Sequence, residues 1–486
     1  MKLSLLFLTL IMVEITMAQN FDFEKSLYND YEHFREKNLT HRRFKHSDIL
    51  PLINSLKNKK DFSVKKVGKS SEGRELNLIT IGHGKKKIFL WSQMHGDEPT
   101  ATAAIFDIFN FFIDSSYHDS KKYLLSEVTI YFLPMVNPDG AERFRRRNIF
   151  EIDLNRDAAR LETPEAIILK DVFDSLKADF GFNLHDQDHR YSVGRTFKYA
   201  ALSFLAPTVN YEKTMTEGRE RSVKLIGNIY EMLNNFIPGH IAKYTDDYEP
   251  RAFGDNFQKW GTSTILIESG GWKDDPEKQF LRKLNFITLL SSFKSIAEKS
   301  YENVDNDVYE KIPFNDKYIF DTVLRNLTLE KAGKKLKVDI GINMDEIDAG
   351  DGKSFYIKSE IADFGDLSVF FGYNDFDFSG YTIEPAKIFK KRILKNNDLK
   401  KIDLYNLYKD GYSTLLIKEK PDKKYFPQPI NLLLNDKTDA DSTINIGETA
   451  NFILKKSGKI KYIIVNGFIQ KVEKNRRFEG NGLVIK

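Results

Sequence analysis

The sequence predicts an α/β protein, with a mixed, mostly parallel sheet flanked by helices, followed by a carboxyl-terminal β-sandwich-like domain. Three observations carry this expectation. Apolar stretches at 88–91, 128–136, 180–184 and 264–267 have the composition of buried strands. Helix-like segments separate them, which is the pattern of a largely parallel sheet. From Tyr318 onward the chain changes to short strands and turns. At 486 residues it is too long for one ordinary core. The expected division is a leader at 1–18, a first domain at 19–300, a linker at 301–315 and a β-rich domain at 316–486.

Lys2, the apolar run from Leu3 to Val13 and the small residues of Thr16-Met17-Ala18 read as a secretory signal, broken only by Glu14. The run is too short for a spanning helix, which needs about 20 residues. Cysteine is absent, so no disulfide framework is available. Export to a bacterial periplasm or exterior is the expected location, with no integral membrane segment once the leader is removed. The net charge of +4 gives no reason to invoke nucleic acid. The basic clusters Arg42-Arg43-Phe44-Lys45 and Arg145-Arg146-Arg147 are short enough to be solvated faces.

Taken in order, residues 20–60 read as helical, with a break at Pro51. Strands at 64–67 and 76–81 flank the turn Ser70-Ser71-Glu72-Gly73-Arg74. The strand at 88–91 runs into Ser92-Gln93-Met94-His95-Gly96-Asp97-Glu98-Pro99, and a helix follows over 101–112, with Pro99 in its first turn. The strand at 128–136 ends in Asn137-Pro138-Asp139-Gly140. A helix over 164–177 delivers the strand 180–184, which ends at His185. A helix over 212–235 and a loop with Tyr244, Tyr248, Arg251 and Asp255 lead to the strand 264–267, which ends at Glu268. An amphipathic helix over 276–299 closes the first domain.

His95 and Glu98 lie at a strand end on a turn that opens a helix, where both can face one cation. Two histidines, a glutamate and a water form a catalytic zinc set, so the pair needs a third ligand. His185 stands at the end of another strand, and in parallel sheets sites assemble where strand ends meet. Glu268 ends a further strand, one apolar enough to be central rather than a surface edge.

In this order and at roughly these intervals, Met94-His95-Gly96-Asp97-Glu98, Asn137-Pro138-Asp139-Gly140, Asp153-Leu154-Asn155-Arg156, His185 and Glu268 resemble the carboxypeptidase A-like zinc metallocarboxypeptidases over residues 60–298. The resemblance implies one zinc per chain on His95, Glu98 and His185, with Glu268 as general base. It further implies that Asn155 and Arg156 hold the substrate's terminal carboxylate, that Arg146 polarises the scissile carbonyl, and that Asp153 orients a zinc-bound histidine. In the triple arginine the register is open by one. The family's capping tyrosine matches Tyr248 best, with Tyr244 near the same interval. Asp186-Gln187 departs from the Ser and aromatic residue usual after the histidine. Asp255 and Arg251 point to a polar or charged substrate end. His83, His118, His189 and His240 match no family position and read as structural.

The implied activity is zinc-dependent hydrolysis of the terminal peptide bond of a peptide with a free carboxylate. A zinc N-acyl amino acid deacylase of the same fold is the neighbouring alternative, and a catalytically silent peptide or peptidoglycan binder is the second.

The β-rich region contains neither His nor Cys, so a transition-metal site is not expected there. Its acidic stretch 345–352 departs from calcium-loop spacing and reads as a hairpin turn. Asn466-Gly467 is a hairpin signal. Residues 443–454 with 464–467 resemble the small β domain of amidohydrolases, which implies a β-sandwich and no activity.

Overall fold

The computed structural model describes residues 23–394, 399–419, 421–434 and 442–485. The expected leader lies outside the described residues. The chain divides into two compact units: one runs through Gly194 and from Lys198 to Lys317, and the other comprises Arg195–Phe197 and Tyr318–Lys486.

In the first unit the described residues build an eight-stranded sheet from β1 (Phe62–Lys69), β2 (Glu75–Gly82), β3 (Lys86–Ser92), β4 (Val128–Leu133), β5 (Phe180–Asp186), β7 (Leu202–Leu205), β8 (Ile241–Lys243) and β9 (Ser263–Ser269). A short β6 (Ser192–Val193) pairs instead with β10 (Asn315–Asp316). The strand order is β1-β2-β4-β3-β5-β9-β7-β8. The central β4, β3, β5 and β9 are mutually parallel, and antiparallel strands flank them. Sheet and helices together match the mixed α/β class read from the sequence.

The helices are α1 (23–34), α2 (His46–Leu56), α3 (Thr100–Ile113), α4 (His118–Glu127), α5 (Pro138–Arg143), α6 (Pro164–Leu176), α7 (Glu217–Leu233), α8 (Phe253–Lys259), α9 (Gln279–Glu298) and α10 (Asn306–Glu310). Alternation along each strand sends its side chains to two cores. Ile88, Leu90, Phe180, Phe182, Ile265 and Ile267 meet α3, α7 and α9 on one face. Phe89, Trp91 and Leu133 meet α6 and α8 on the other, through Phe173, Phe253 and Phe257. Each such side chain stabilises the fold by roughly 1.5–3 kcal/mol.

Several expectations are corrected. Pro51 sits inside α2 and does not break it. Pro99 is the residue before the first turn of α3, which begins at Thr100. The helix expected to be amphipathic is buried on nearly every side: α9 buries Asn285, Thr288 and Ser292 along with its apolar residues, because sheet, α3 and the amino-terminal segment surround it. The stretch 301–315 is no free linker, since Tyr301, Tyr309 and Ile312 pack into the first unit's core.

The second unit is strand-rich. A sheet ordered Phe355–Gly365, Lys334–Asp348, Ile319–Lys331, Thr382–Pro385, Phe452–Lys456, Lys459–Val465, Phe468–Lys471 has Phe371–Asp377 paired to its third strand. A five-stranded sheet is built from Lys387–Leu394, Tyr412–Ile417, Asn431–Leu434, Gly482–Ile485 and Tyr425–Phe426. Leu415 and Leu432 of the second sheet share a core with Ile453 and Ile463 of the first, which makes the pair sandwich-like. Asn466 and Gly467 have φ of 49° and 80°, as a tight hairpin requires. The acidic stretch is a hairpin turn, with Asp348 accepting from the Gly350 and Gly352 amides at 2.7 and 2.9 Å.

Candidate active site

β3 ends at Ser92, and the chain then turns sharply, with Gln93 in the left-handed region at φ 51°. The Gln93 side chain donates to the Gly96 carbonyl at 2.9 Å and closes the loop. A Cβ on Gly96 would lie 2.1 Å from the Gly140 carbonyl carbon, so only glycine lets this loop rest on α5. Asn137 caps α5 by accepting from the Gly140 amide at 2.9 Å and donates to the Arg146 carbonyl at 3.2 Å. Asp139 is buried and holds the β1–β2 turn by accepting from Ser70, the Glu72 amide and Arg74. The two motifs therefore brace the loop that carries His95 and Glu98.

The side chains of His95, Glu98 and His185 converge in a buried cluster. His95 Nδ1 lies 2.8 Å from Glu98 Oε1, and His185 Nδ1 lies 2.7 Å from Glu98 Oε2. The two Nδ1 atoms are 3.2 Å apart. On its far side, His95 Nε2 meets Asp153 Oδ1 at 3.0 Å, and Asp153 also accepts from the Asn155 amide at 2.9 Å. Arg146 is the arginine of the triple that reaches this cluster. Its Nε is 3.1 Å from Asp153 and its Nη1 is 3.2 Å from Glu98. Arg145 and Arg147 turn instead to Glu151.

Burial opposes charge on Glu98, yet the two imidazoles outweigh it and hold its carboxyl below the usual range. For His95, burial lowers the pKa, but the Glu98 charge and the bonds to Asp153 and Glu98 raise it to about 9. Burial keeps His185 below its ordinary value.

Glu268 is half-buried and stands in register with His185 across the β5–β9 ladder. Its carboxylate accepts no hydrogen bond among the described residues. Burial, and then the charge of Glu98, push its pKa well above the usual carboxylate range. Leu154–Arg156 forms a single 3-10 turn capped by Asp153. It places the Asn155 Oδ1 at 2.9 Å from the Phe253 amide at the start of α8. Arg156 is half-exposed, donates through Nη1 to the Asn155 carbonyl at 2.7 Å and pairs with Glu249 at 3.3 Å.

The two tyrosines separate. The Tyr244 phenol is raised by burial, then by the charge of Glu268 and a hydrogen bond with Tyr191, which puts it on the Glu268 side of the site. Tyr248 packs edge-on against Tyr211, with ring centroids 5.0 Å apart. Of the remaining histidines, His240 meets the Tyr199 carbonyl at 3.0 Å, while His118 and His189 pair with neighbouring aspartates.

Residues 50–199 match the model of the zinc carboxypeptidase family. This part of the chain is similar to a zinc carboxypeptidase domain. The matched span holds His95, Glu98, Arg146, Asp153, Asn155, Arg156 and His185 and stops before Glu268. The chain is similar to "Carboxypeptidase 2" of Trichophyton tonsurans, 27% identical over 139 residues, covering 26% of this chain and 25% of that protein. It is also similar to "Carboxypeptidase B" of Astacus astacus, 39% identical over 83 residues, covering 16% of this chain and 26% of that protein. It thus spans about a quarter of the length of these curated relatives. Among solved structures, a metallo-carboxypeptidase from Burkholderia cenocepacia aligns with TM-score 0.44 and 16% identity, covering 53% of this chain and 70% of that one. Carboxypeptidase A from Helicoverpa armigera aligns with TM-score 0.42 and 14% identity, covering 58% and 80%.

The cluster of His95, Glu98 and His185 fits zinc on chemical grounds. A tetrahedral site with bonds of about 2.0–2.1 Å has edges of about 3.3 Å, close to the separation of the two Nδ1 atoms. Donation from His95 Nε2 to Asp153 fixes the tautomer that leaves Nδ1 as a lone-pair donor. His185 Nε2 has no such partner among the described residues.

Several residues around the site were not singled out from the sequence. Glu249 is gripped by Arg251, with contacts of 2.8 and 2.7 Å, and joins it to Arg156. Asp186, which the sequence already marked as a departure from the family pattern, turns its side chain away from the cluster and pairs with Thr100 at 2.6 Å and Lys278 at 3.2 Å. Asn183, two residues before His185, shares that residue's side of the sheet. For Asn183 the strand period alone carried the signal, because a residue two before a proposed ligand faces the same way.

Proposed function

We propose that the chain is a zinc-dependent carboxypeptidase that removes the terminal residue of peptides with a free carboxylate. The observation that carries this reading is the convergence of His95, Glu98 and His185, with Glu268 in register beside His185. His95 Nδ1, His185 Nδ1 and Glu98 would hold one zinc. Zinc bound there lowers the pKa of a water at its open position and polarises a carbonyl.

The chain's residues then divide the work. Glu268 takes a proton from the attacking water and returns it to the leaving amine, a role suited to a carboxylate with a raised pKa. Arg146, anchored on Asp153, donates to the scissile carbonyl oxygen as it gains charge. Asn155 and Arg156 hold the terminal carboxylate, for which a planar guanidinium fork is the suitable partner. Tyr244 closes over the bound residue from the Glu268 side. The apolar run from Leu3 to Val13 supports export as the cellular route.

The test pairs metal analysis with substrate chemistry. Purified protein is expected to carry one zinc, and His185→Ala to lose it. Free-acid peptides should be cleaved and their amides hardly at all. Arg156→Met should lose roughly a hundredfold on the free acid while keeping zinc, since an anion without its partner costs a few kcal/mol. Equal or faster turnover of an N-acyl amino acid than of a tetrapeptide with the same end would favour the deacylase reading instead.

A further inference from the structure

Residues 455–477 of the second unit carry six lysines and two arginines against one acidic residue, Glu473. The whole chain has a net charge of only +4, so basic charge is concentrated in this stretch and offset elsewhere. Strand pairing gathers these residues at one end of the second unit's eight-stranded sheet. Strand Phe452–Lys456 turns through Ser457 and Gly458, at φ 51° and 71°, into Lys459–Val465, which sets Lys456 directly opposite Lys459. The register slips by one after Leu454, and Lys461 is the extra residue of the bulge. Strand Phe468–Lys471 then runs back and brings Lys471 opposite Tyr462, while the Val472 amide donates to the Lys461 carbonyl at 2.9 Å. Lys474, Arg476 and Arg477 follow directly in the chain.

Most of this charge is unpaired. Lys455 pairs with Glu384, and Lys471 and Arg476 share Glu473, the latter at 3.7 Å. Lys456, Lys459, Lys461, Lys474 and Arg477 are exposed and form no ion pair among the described residues. Several bases converge on Glu473: the hydrogen bond from Lys471, then the charges of Lys471, Arg476 and Lys461, hold its carboxyl below the usual range. Like charges directly opposite on neighbouring strands are destabilising, so a hairpin that keeps Lys456 against Lys459 gains from an anionic partner.

The chemistry of the patch selects among anionic partners. Lysines predominate, and an ammonium is a point charge rather than a planar fork for one phosphate. The neighbouring rings of Phe378, Tyr381 and Tyr462 are packed on one another, with centroids 5.2 to 5.9 Å apart, and offer no free platform for stacking bases. Ser457 and Gly458 at the hairpin tip bring no apolar side chain to enter a hydrocarbon layer. Such a patch suits adsorption on a surface of diffuse negative charge.

We propose that this basic end of the second unit docks the protein on the surface of an anionic phospholipid bilayer, through the headgroups alone. The proposal is independent of the carboxypeptidase reading. Each Lys or Arg held near such a surface strengthens binding about fivefold, and salt screens the attraction over about 10 Å at 0.1 M.

Sedimentation of the full chain with vesicles tests it. Vesicles of phosphatidylglycerol and phosphatidylcholine in equal parts are compared with phosphatidylcholine alone. The wild type is expected to partition at least about tenfold more strongly onto the anionic vesicles, and to lose that preference between about 0.05 and 0.5 M salt. Lys456→Gln/Lys459→Gln/Lys461→Gln is expected to lose roughly a hundredfold in partition coefficient, and Lys456→Arg/Lys459→Arg/Lys461→Arg to keep it. Lys59→Gln/Lys60→Gln/Lys65→Gln removes the same charge from exposed positions of the first unit and should change binding less than about twofold. No preference for anionic vesicles overturns the proposal, as do wild-type binding by the first variant or equal losses in the two glutamine variants. So does tighter capture of a single-stranded oligonucleotide than of vesicles at equal phosphate and salt, which would make the patch a nucleic-acid surface.

Discussion

His185 and Glu268 stand opposite one another on adjacent parallel strands, so a proposed metal ligand and the proposed base are fixed by a single β-ladder. Their separation does not depend on a loop. Glu268→Gln should therefore leave zinc binding intact while lowering kcat by about 10²–10⁴, the usual contribution of general base catalysis. Metal content and kcat measured on the same preparation decide the point. Loss of zinc along with activity would make Glu268 part of the metal site.

Tyr244, rather than Tyr248, is predicted to serve catalysis. Its phenol feels the Glu268 charge, whereas Tyr248 is engaged with Tyr211. Tyr244→Phe should reduce kcat/KM about tenfold, equivalent to about 1.4 kcal/mol of transition-state stabilisation. Tyr248→Phe should change it less than twofold. The reverse order would restore the assignment expected from sequence spacing.

Asp255 supplies a pH test of stability. Burial raises its pKa from 3.8 to about 7, despite backbone hydrogen bonds that oppose the shift. The folded chain thus holds this proton more tightly than the unfolded chain does. Where the unfolded state binds fewer protons, stability falls as pH rises. The loss from this group should run between about pH 4 and pH 7, with a slope approaching 1.4 kcal/mol per pH unit. Asp255→Asn should therefore flatten the decline, gaining stability over wild type at pH 8 and little at pH 4. Urea unfolding at the two values measures it, and an equal effect at both would show that Asp255 ionises freely.

The buried pair of Arg282 and Asp107 ties α9 to α3. Arg282 Nε donates to Asp107 at 2.7 Å, and its other nitrogens reach the carbonyls of Glu36 and Leu39. Tyr31 adds a hydrogen bond to the same carboxylate at 3.0 Å. Arg282→Met should cost about 3–5 kcal/mol, because it leaves a buried charge without its partner. Adding Asp107→Leu should recover part of that loss, which a simple packing defect would not.

Much of the site was legible in the chain. The apolar strands announce themselves by composition, and each proposed ligand ends or follows one, so their approximate meeting place follows from parallel topology. Which arginine of the triple faces the cluster was not legible, because adjacent residues with the same chemistry differ only in where the turn points them. The packing of Arg146 on Asp153 decides it, with Arg145 and Arg147 drawn off to Glu151. The same holds for Tyr244 and Tyr248, which one loop carries four residues apart and the fold sends to different neighbours.

Sequence by itself determined the strand-end placement of His95, Glu98, His185 and Glu268, since period and polarity are local properties of the chain. It also determined the hairpin at Asn466-Gly467, where two residues suffice to specify a turn. Only the tertiary structure decided what depends on partners distant in the chain: that α9 is buried on nearly all sides, that 301–315 packs into a core, that Glu249 stands beside Arg156, and that Asn183 is left without a hydrogen-bond partner among the described residues. A residue's own chemistry says which contacts it can make, and the packing of the other elements determines which ones it gets.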